Sequence, residues 1–270
     1  LHLYMAKKKK RRKRTKRRQI KIGLRTVAVL FALLCALIAW PYLSERKRPE
    51  KGAEIPSGTY SYGIDISRYQ SRIQWDSLMV MTDRQGRTIS SKTYAKDIKP
   101  VSYVFIKATE GITLKDRLFH RHWKDAGESG IRRGAYHFFR SSKDPLQQAE
   151  FFIRTVGPLA ENDLPPVLDI ETIHKGCSHK LLNEKALVWL SEIERYYGRK
   201  PIVYSSASFI DTILCNEIKE NYPIWVAHYD VDQPRCRRWH IWQFSDKAIV
   251  HGINGMTDLN VCSRLTLDQL

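Results

Sequence analysis

Pro165-Pro166-Val167-Leu168-Asp169-Ile170-Glu171 is the stretch on which the reading of this chain turns. Side chains on a strand alternate between faces, so Val167, Asp169 and Glu171 share one face and Leu168 and Ile170 the other. Two acids side by side at the C-terminal end of a strand are costly unless one is protonated or both meet a polar substrate. Like charges push the titrations of such a pair apart and leave one member a proton donor near neutral pH. Glycoside hydrolysis requires that arrangement. The same residues also fit an exposed strand end or a salt-bridged pair, so the stretch has to be weighed with its surroundings.

Working outward, short apolar, β-rich runs alternate with longer helical patterns. The runs predict strands over Tyr62–Ile66, Val101–Lys107, Arg133–Phe139, Pro166–Ile170, Pro201–Tyr204, Ile224–Ala227 and Trp239–Phe244. Between them the spacing predicts helices over Phe119–Ser129, Pro145–Val156, Lys180–Tyr197 and Ser208–Ile218. Pro145 after Asp144 is a helix start with an acidic cap. Strands alternating with helices imply parallel strands with crossover helices, an α/β fold. Polar clusters after the strands fit an irregular TIM-like (β/α) barrel with its site on the C-terminal rim. One stretch breaks the pattern. Leu78–Ile89 reads LMVMTDRQGRTI, two extended runs around Asp83-Arg84-Gln85-Gly86, which predicts a β-hairpin within an insertion at about 79–99. The function of that hairpin is unreadable from the sequence: the plain reading is surface decoration, and an insertion that reshapes one end of the groove is the alternative.

More acids fall at strand ends: Asp65 in YGIDIS and Asp258 in GMTDLN. Each alone also fits a turn or cap. Aromatic residues gather at similar positions, among them Tyr136, Phe138, Phe139, Tyr204, Trp225, Tyr229 and Trp242. Rings interleaved with carboxylates suit sugars, which present apolar faces and hydroxyl edges, although core packing accounts for about half of such aromatics.

Eight segments in order carry a resemblance. They are YGIDIS (62–67), VFIKATEG (104–111), GAYHFF (134–139), PPVLDIE (165–171), PIVYSS (201–206), PIWVAHY (223–229), WHIWQFSD (239–246) and GINGMTDLN (252–260). From about Tyr60 to Leu265 the chain resembles glycoside hydrolase family 25, lysozymes of the muramidase type. The resemblance implies a β/α barrel. It also implies cleavage of the β-1,4 bond of peptidoglycan between N-acetylmuramic acid and N-acetylglucosamine, with retention. By motif, Glu171 matches the general acid/base. Asp169 matches the carboxylate that orients the substrate's acetamido group, with a nucleophilic role as the alternative. Asp65 and Asp258 match the other site acids and Tyr136 the site tyrosine. Tyr204, Trp225, Tyr229 and Gln243 fall in motifs facing the groove. Lys107 and Glu110 lie in a signature stretch and read as structural. No cofactor and no metal site is implied, and His137 reads as packing. A catalytically silent peptidoglycan-binding module on the same barrel is the alternative.

The N-terminal part reads separately. The chain has 270 residues and a net charge of +18, and 13 of its 46 Lys and Arg lie in residues 1–25 with no acid among them. Residues 59–270 carry 29 basic and 25 acidic residues, so the folded part is only mildly basic. This excludes a nucleic-acid-binding core and makes specific nucleic acid an unexpected partner. Residues 26–44 are 19 uncharged residues, close to the ~20 needed to span a bilayer. With the basic run before them they read as one transmembrane signal-anchor helix, N-terminus cytoplasmic, with a cleaved signal peptide or a lipoprotein at Cys35 as the alternatives. Anionic lipid is then the partner of the basic tail, and the catalytic domain is extracytoplasmic. Residues 45–58 read as a linker and 59–270 as the catalytic domain. Cys177, Cys215, Cys236 and Cys262 are even in number and allow three pairings or free thiols.

Overall fold

The computed structural model describes residues 31, 33–35 and 51–270. Phe31 and residues 33–35 are helical and exposed. The remainder of the expected tail (1–25), membrane span (26–44) and the first part of the linker lie outside the described residues. Among the described residues no helix is long and apolar enough to cross a membrane.

The compact unit begins at Pro49. In chain order its elements are β1 (Lys51–Glu54), β2 (Ser61–Ile66), β3 (Met79–Thr82), β4 (Arg87–Ile89), β5 (Asp97–Glu110), β6 (Leu114–Lys115) and α1 (Phe119–Glu128). There follow β7 (Arg132–Phe138), α2 (Pro145–Val156), β8 (Val167–Asp169), α3 (His179–Tyr197), β9 (Ile202–Ser206), α4 (Ala207–Thr212) and α5 (Asn216–Asn221). The chain ends with β10 (Ile224–Ala227), β11 (Ile241–Ile249), β12 (Met256–Cys262) and α6 (Arg264–Gln269). Eight strands close into a barrel in the order β2, β12, β11, β10, β9, β8, β7, β5 and back to β2. Neighbours are parallel except around β12, which runs antiparallel to β11 and β2. That reversed strand makes the barrel irregular.

Alternation along the strands sorts the core into two clusters. Ile64, Val104, Ile106, Leu168, Val203, Val226 and Leu259 face outward and pack beneath the helices. Tyr103, Phe105, Val167, Ile202, Trp225 and Ile241 fill the barrel interior. Two glycines make room for the interior rings. A Cβ on Gly63 would sit 2.1 Å from the Tyr103 ring, and one on Gly134 2.5 Å from Phe105.

The helices start and stop for local reasons. Asp144 accepts from the Gln147 N–H at 2.9 Å and Pro145 opens α2. Ser178 caps α3, and Gly198, at φ 66°, ends it in the left-handed region. The single helix expected over Ser208–Ile218 is two short ones. Asn183 of α3 splits it: its Nδ2 donates to the Ile213 carbonyl and its Oδ1 accepts from the Cys215 N–H, both at 2.8 Å. Those two backbone groups are withdrawn from any continuous helical ladder.

The hairpin is present as β3 and β4. Asp83 Oδ1 accepts from the N–H groups of Gln85 and Arg87, and Gly86 supplies φ 75°. It is not decoration. Val80, Met81 and Ile89 are fully buried, and β3 pairs with the start of β5. In the crossover from β2 to β5 this hairpin takes the place of an α-helix. Residues 51–54, read as linker, form β1 and pair with β4. All five cysteines are free thiols.

Candidate active site

The period of two that builds the barrel also builds the site. Inward positions at the C-terminal ends of the strands place Asp65 (β2), Lys107 (β5), Tyr136 and Phe138 (β7), Asp169 (β8) and Tyr204 (β9) around one cleft. Glu171, Trp225, Tyr229, Gln243 and Asp258 complete the lining, and the cleft encloses about 270 Å³. All nine residues singled out in the sequence therefore meet in one place. Asp65 and Asp258 are direct partners across the β2–β12 ladder.

Four further residues line the cleft. Lys107, read as structural, does pair with Glu110 at 2.8 Å, but its side chain also borders the cleft beside the carboxylates. Phe138 packs against two cations, 4.7 Å from Lys107 Nζ and 4.6 Å from the Arg140 guanidinium. Ser67 and the highly exposed Tyr69 form one lip. Lys107 was reachable from the sequence, because it lies two residues beyond Phe105 and so on the same face. Tyr69 lies past the end of β2, where strand alternation no longer applies.

Buried amides organise the acids. Asp65 Oδ2 accepts from Gln243 Nε2 and from Asn260 Nδ2, both at 2.8 Å. Gln243 Oε1 accepts from the hydroxyls of Tyr204 at 2.7 Å and Tyr229 at 2.5 Å. Asn260 Oδ1 accepts from the Trp225 indole N–H at 2.8 Å. Trp225 is almost completely buried; its polar edge is committed to Asn260.

Burial dominates the electrostatics. It raises Asp169 well above the usual carboxylate range, with the charge of Glu171 adding to it. It also raises Glu171, although the dipole of the neighbouring Tyr204 hydroxyl works the other way. Asp258 is pushed up to about 9 by burial and by the charge of Asp65 beside it. Asp65 is raised by burial too, against hydrogen bonds from Asn260, Gln243 and Asp258. Four carboxyls this close do not all ionise at neutral pH, so the site holds protons it can give away. Asp169 Oδ1 is buried with no hydrogen-bond partner.

His137 is part of the packing. Gln148 Oε1 already accepts from the Arg140 N–H, so it accepts from His137 Nε2–H as well. Nδ1 then accepts from the Thr109 hydroxyl at 2.7 Å. The ring stacks on Trp189 with centroids 5.5 Å apart. Among the described residues no group of three or more His, Cys, Asp or Glu is placed to hold a metal ion.

A barrel with paired acids at its C-terminal rim, stacked rings and a proton-holding cleft defines a glycosidase. The chain belongs to glycosyl hydrolases family 25, whose model matches residues 64–253. It is 40% identical over 218 residues to YegX of Escherichia coli (strain K12), covering 79% of this chain and 74% of that one. It is 31% identical to lysozyme M1 of Streptomyces globisporus, covering 73% of this chain and 66% of that one. The crystal structure of a lysozyme from Streptomyces coelicolor superposes with a TM-score of 0.66 at 29% identity, covering 78% of this chain and 96% of that one.

Proposed function

We propose that this chain is a peptidoglycan hydrolase that cuts the β-1,4 bond between N-acetylmuramic acid and N-acetylglucosamine. The observation that carries the chemistry is the unpartnered Oδ1 of Asp169, buried two residues from Glu171. A buried acceptor without a donor is costly, and a substrate acetamido N–H supplies one. That hydrogen bond favours the charged form of Asp169, so the proton the two acids share settles on Glu171. Glu171 then protonates the glycosidic oxygen as the acetamido oxygen attacks the anomeric carbon from the opposite face. The leaving sugar departs, and a cyclic oxazolinium remains. Glu171, now ionised, takes a proton from water as the water oxygen opens that ring at the anomeric carbon. Two inversions give retention. An Asp169 carboxylate held on the acetamido N–H is committed to orienting that group, which favours this route over direct attack. Asp65, Asp258, Tyr136, Tyr204, Tyr229 and Gln243 form the surrounding wall.

The location is also a proposal. The basic run 1–25 and the uncharged run 26–44 support a single-pass anchor with the N-terminus cytoplasmic and the catalytic domain outside. This reading has the bilayer and anionic lipid as partners of the N-terminal part, and it favours remodelling of the cell's own wall. The test is digestion of purified peptidoglycan by the full chain, with mass spectrometry of the fragments and fractionation of expressing cells. Fragments reducing at N-acetylmuramic acid and protein in the membrane fraction are expected. Intact glycan with protein bound would replace the enzyme reading by the silent binding module, and protein recovered in the soluble fraction would overturn the anchor.

A further inference from the structure

Asn260 is fully buried on β12, two residues from Asp258 and on the same inward face. Its side chain cannot turn over. The Trp225 indole only donates, so Oδ1 must face it and the NH2 must face Asp65. Gln243 turns its Nε2 to the same oxygen of Asp65 and its Oε1 to the Tyr204 and Tyr229 hydroxyls. One oxygen of Asp65 therefore receives two oriented N–H donors at 2.8 Å. Donors of that kind favour the charged form of a carboxyl. Asp258 sits directly opposite on the ladder and hydrogen-bonds Asp65. It has no such pair of amides and lines the cleft.

We propose that Asn260 is a positioning residue of the reaction: with Gln243 it reserves Asp65 as the anion and leaves the single proton of the Asp65–Asp258 pair on Asp258, where it bridges to Asp65 and leaves the carbonyl oxygen of Asp258 to the cleft as an acceptor for a sugar hydroxyl. Trp225 acts one step further back, by setting the direction of Asn260.

Other charges around the pair do not reverse this assignment. Asp246 on β11 and Glu171 beyond β8 both act on Asp258 and favour its protonated form. The phenols of Tyr103, Tyr136, Tyr204 and Tyr229 surround Asp65 and are held neutral, chiefly by burial. Lys107 on β5 acts on Asp169 and Glu171, away from this pair. Asp169 faces Tyr136 and Tyr204 and has Asp65 among its charged neighbours. Its own preference for the neutral form leaves Asp65 as the favoured anion.

The experiment follows the carboxyl carbons of Asp65 and Asp258 by carbon-13 NMR against pH in the full chain, as wild type, Asn260→Leu and Trp225→Phe. It also measures kcat/KM on peptidoglycan over the same range. In wild type the lower apparent titration is expected at Asp65 and the upper at Asp258. Asn260→Leu raises the lower one by about one to two pH units, the equivalent of one hydrogen bond to a charge. The acid limb of kcat/KM moves with it. Trp225→Phe keeps an aromatic ring but loses the orienting N–H together with part of the indole. It gives a smaller shift of the same sign, and it decides the matter if Asn260→Leu does not fold. Titrations unmoved in the folded variants, with activity lowered evenly at every pH, would reduce Asn260 to packing. The activity arm rests on the muramidase reading. If wild type hydrolyses nothing, that reading falls, while the NMR titration still decides for or against the proton assignment.

Discussion

Asp258→Asn is expected to make the protein more stable and less active, and the gain should depend on pH. An aspartate in an unfolded chain titrates near ~3.9, whereas Asp258 in the fold is pushed up to about 9. A carboxyl whose folded pKa is raised contributes stability that is complete below the unfolded value and lost as pH rises toward the folded one. At neutral pH about three units of that interval have been crossed, which corresponds to about 4 kcal/mol at 1.36 kcal/mol per unit. Asp258 is only partly buried and shares its titration with Asp65, so about half of this, ~2 kcal/mol, is the working figure. Asparagine keeps an N–H toward Asp65 and has no proton to lose. Urea unfolding of both proteins near pH 5, 7 and 9 reads the difference. The variant should lead by less than about 1 kcal/mol at the lowest pH, about 2 at neutral pH and about 3 at the highest. Its activity on peptidoglycan should fall sharply throughout. A lead that is the same at all three pH values, or a variant less stable than wild type at neutral pH, would show that Asp258 ionises normally.

Three further outcomes are expected. Glu171→Gln removes the proton donor and should lower hydrolysis by about 10²–10⁴-fold, with a thermal midpoint at least equal to that of wild type. Activity within a few-fold of wild type would displace Glu171 from its role. A chain starting at Ser57 lacks β1, which covers β4 and packs so closely that a Cβ on Gly52 would meet the Ile249 nitrogen at 2.7 Å. Differential scanning calorimetry should show it melting several degrees below a chain starting at Pro49, and equal midpoints would mean that β1 contributes nothing. Burial pushes His137 down to about 4, so its ring should stay neutral by nitrogen-15 NMR through mildly acidic pH. Titration near the ordinary value of ~6.5 would contradict the Thr109–His137–Gln148 arrangement.

The parts of this protein legible in the sequence are those governed by strict periodicity. Asp169 and Glu171 share a face because alternate residues on a strand do, and the seven predicted strands all appear in the barrel. β12 was missed as a strand because its inward positions are Asp258, Asn260 and Cys262. A strand whose inward face serves the site lacks the apolar alternation by which strands are recognised. The break between α4 and α5 was illegible for another reason. It depends on Asn183, some 30 residues away, capturing two backbone groups, and local propensity carries no trace of that. The hairpin was read correctly as a shape and wrongly as decoration. Its buried Val80, Met81 and Ile89 look like any extended run until the missing helix between β2 and β5 shows what they cover.

The site divides along the same line. Eight of its residues were visible as acids and rings near strand ends, and Gln243 came only from the family resemblance. What the sequence withheld was direction. Trp225 reads as a sugar platform by composition, yet its indole N–H is spent on Asn260. Gln243 reads as a groove residue, yet its oxygen is held by two phenols so that its nitrogen meets Asp65. Amide orientation is set by partners from three different strands and the loop that follows one of them. Those contacts exist only once the barrel has closed. They decide which acid carries charge, and so the chemistry of the cleft depends as much on two uncharged amides as on the four carboxyls around them.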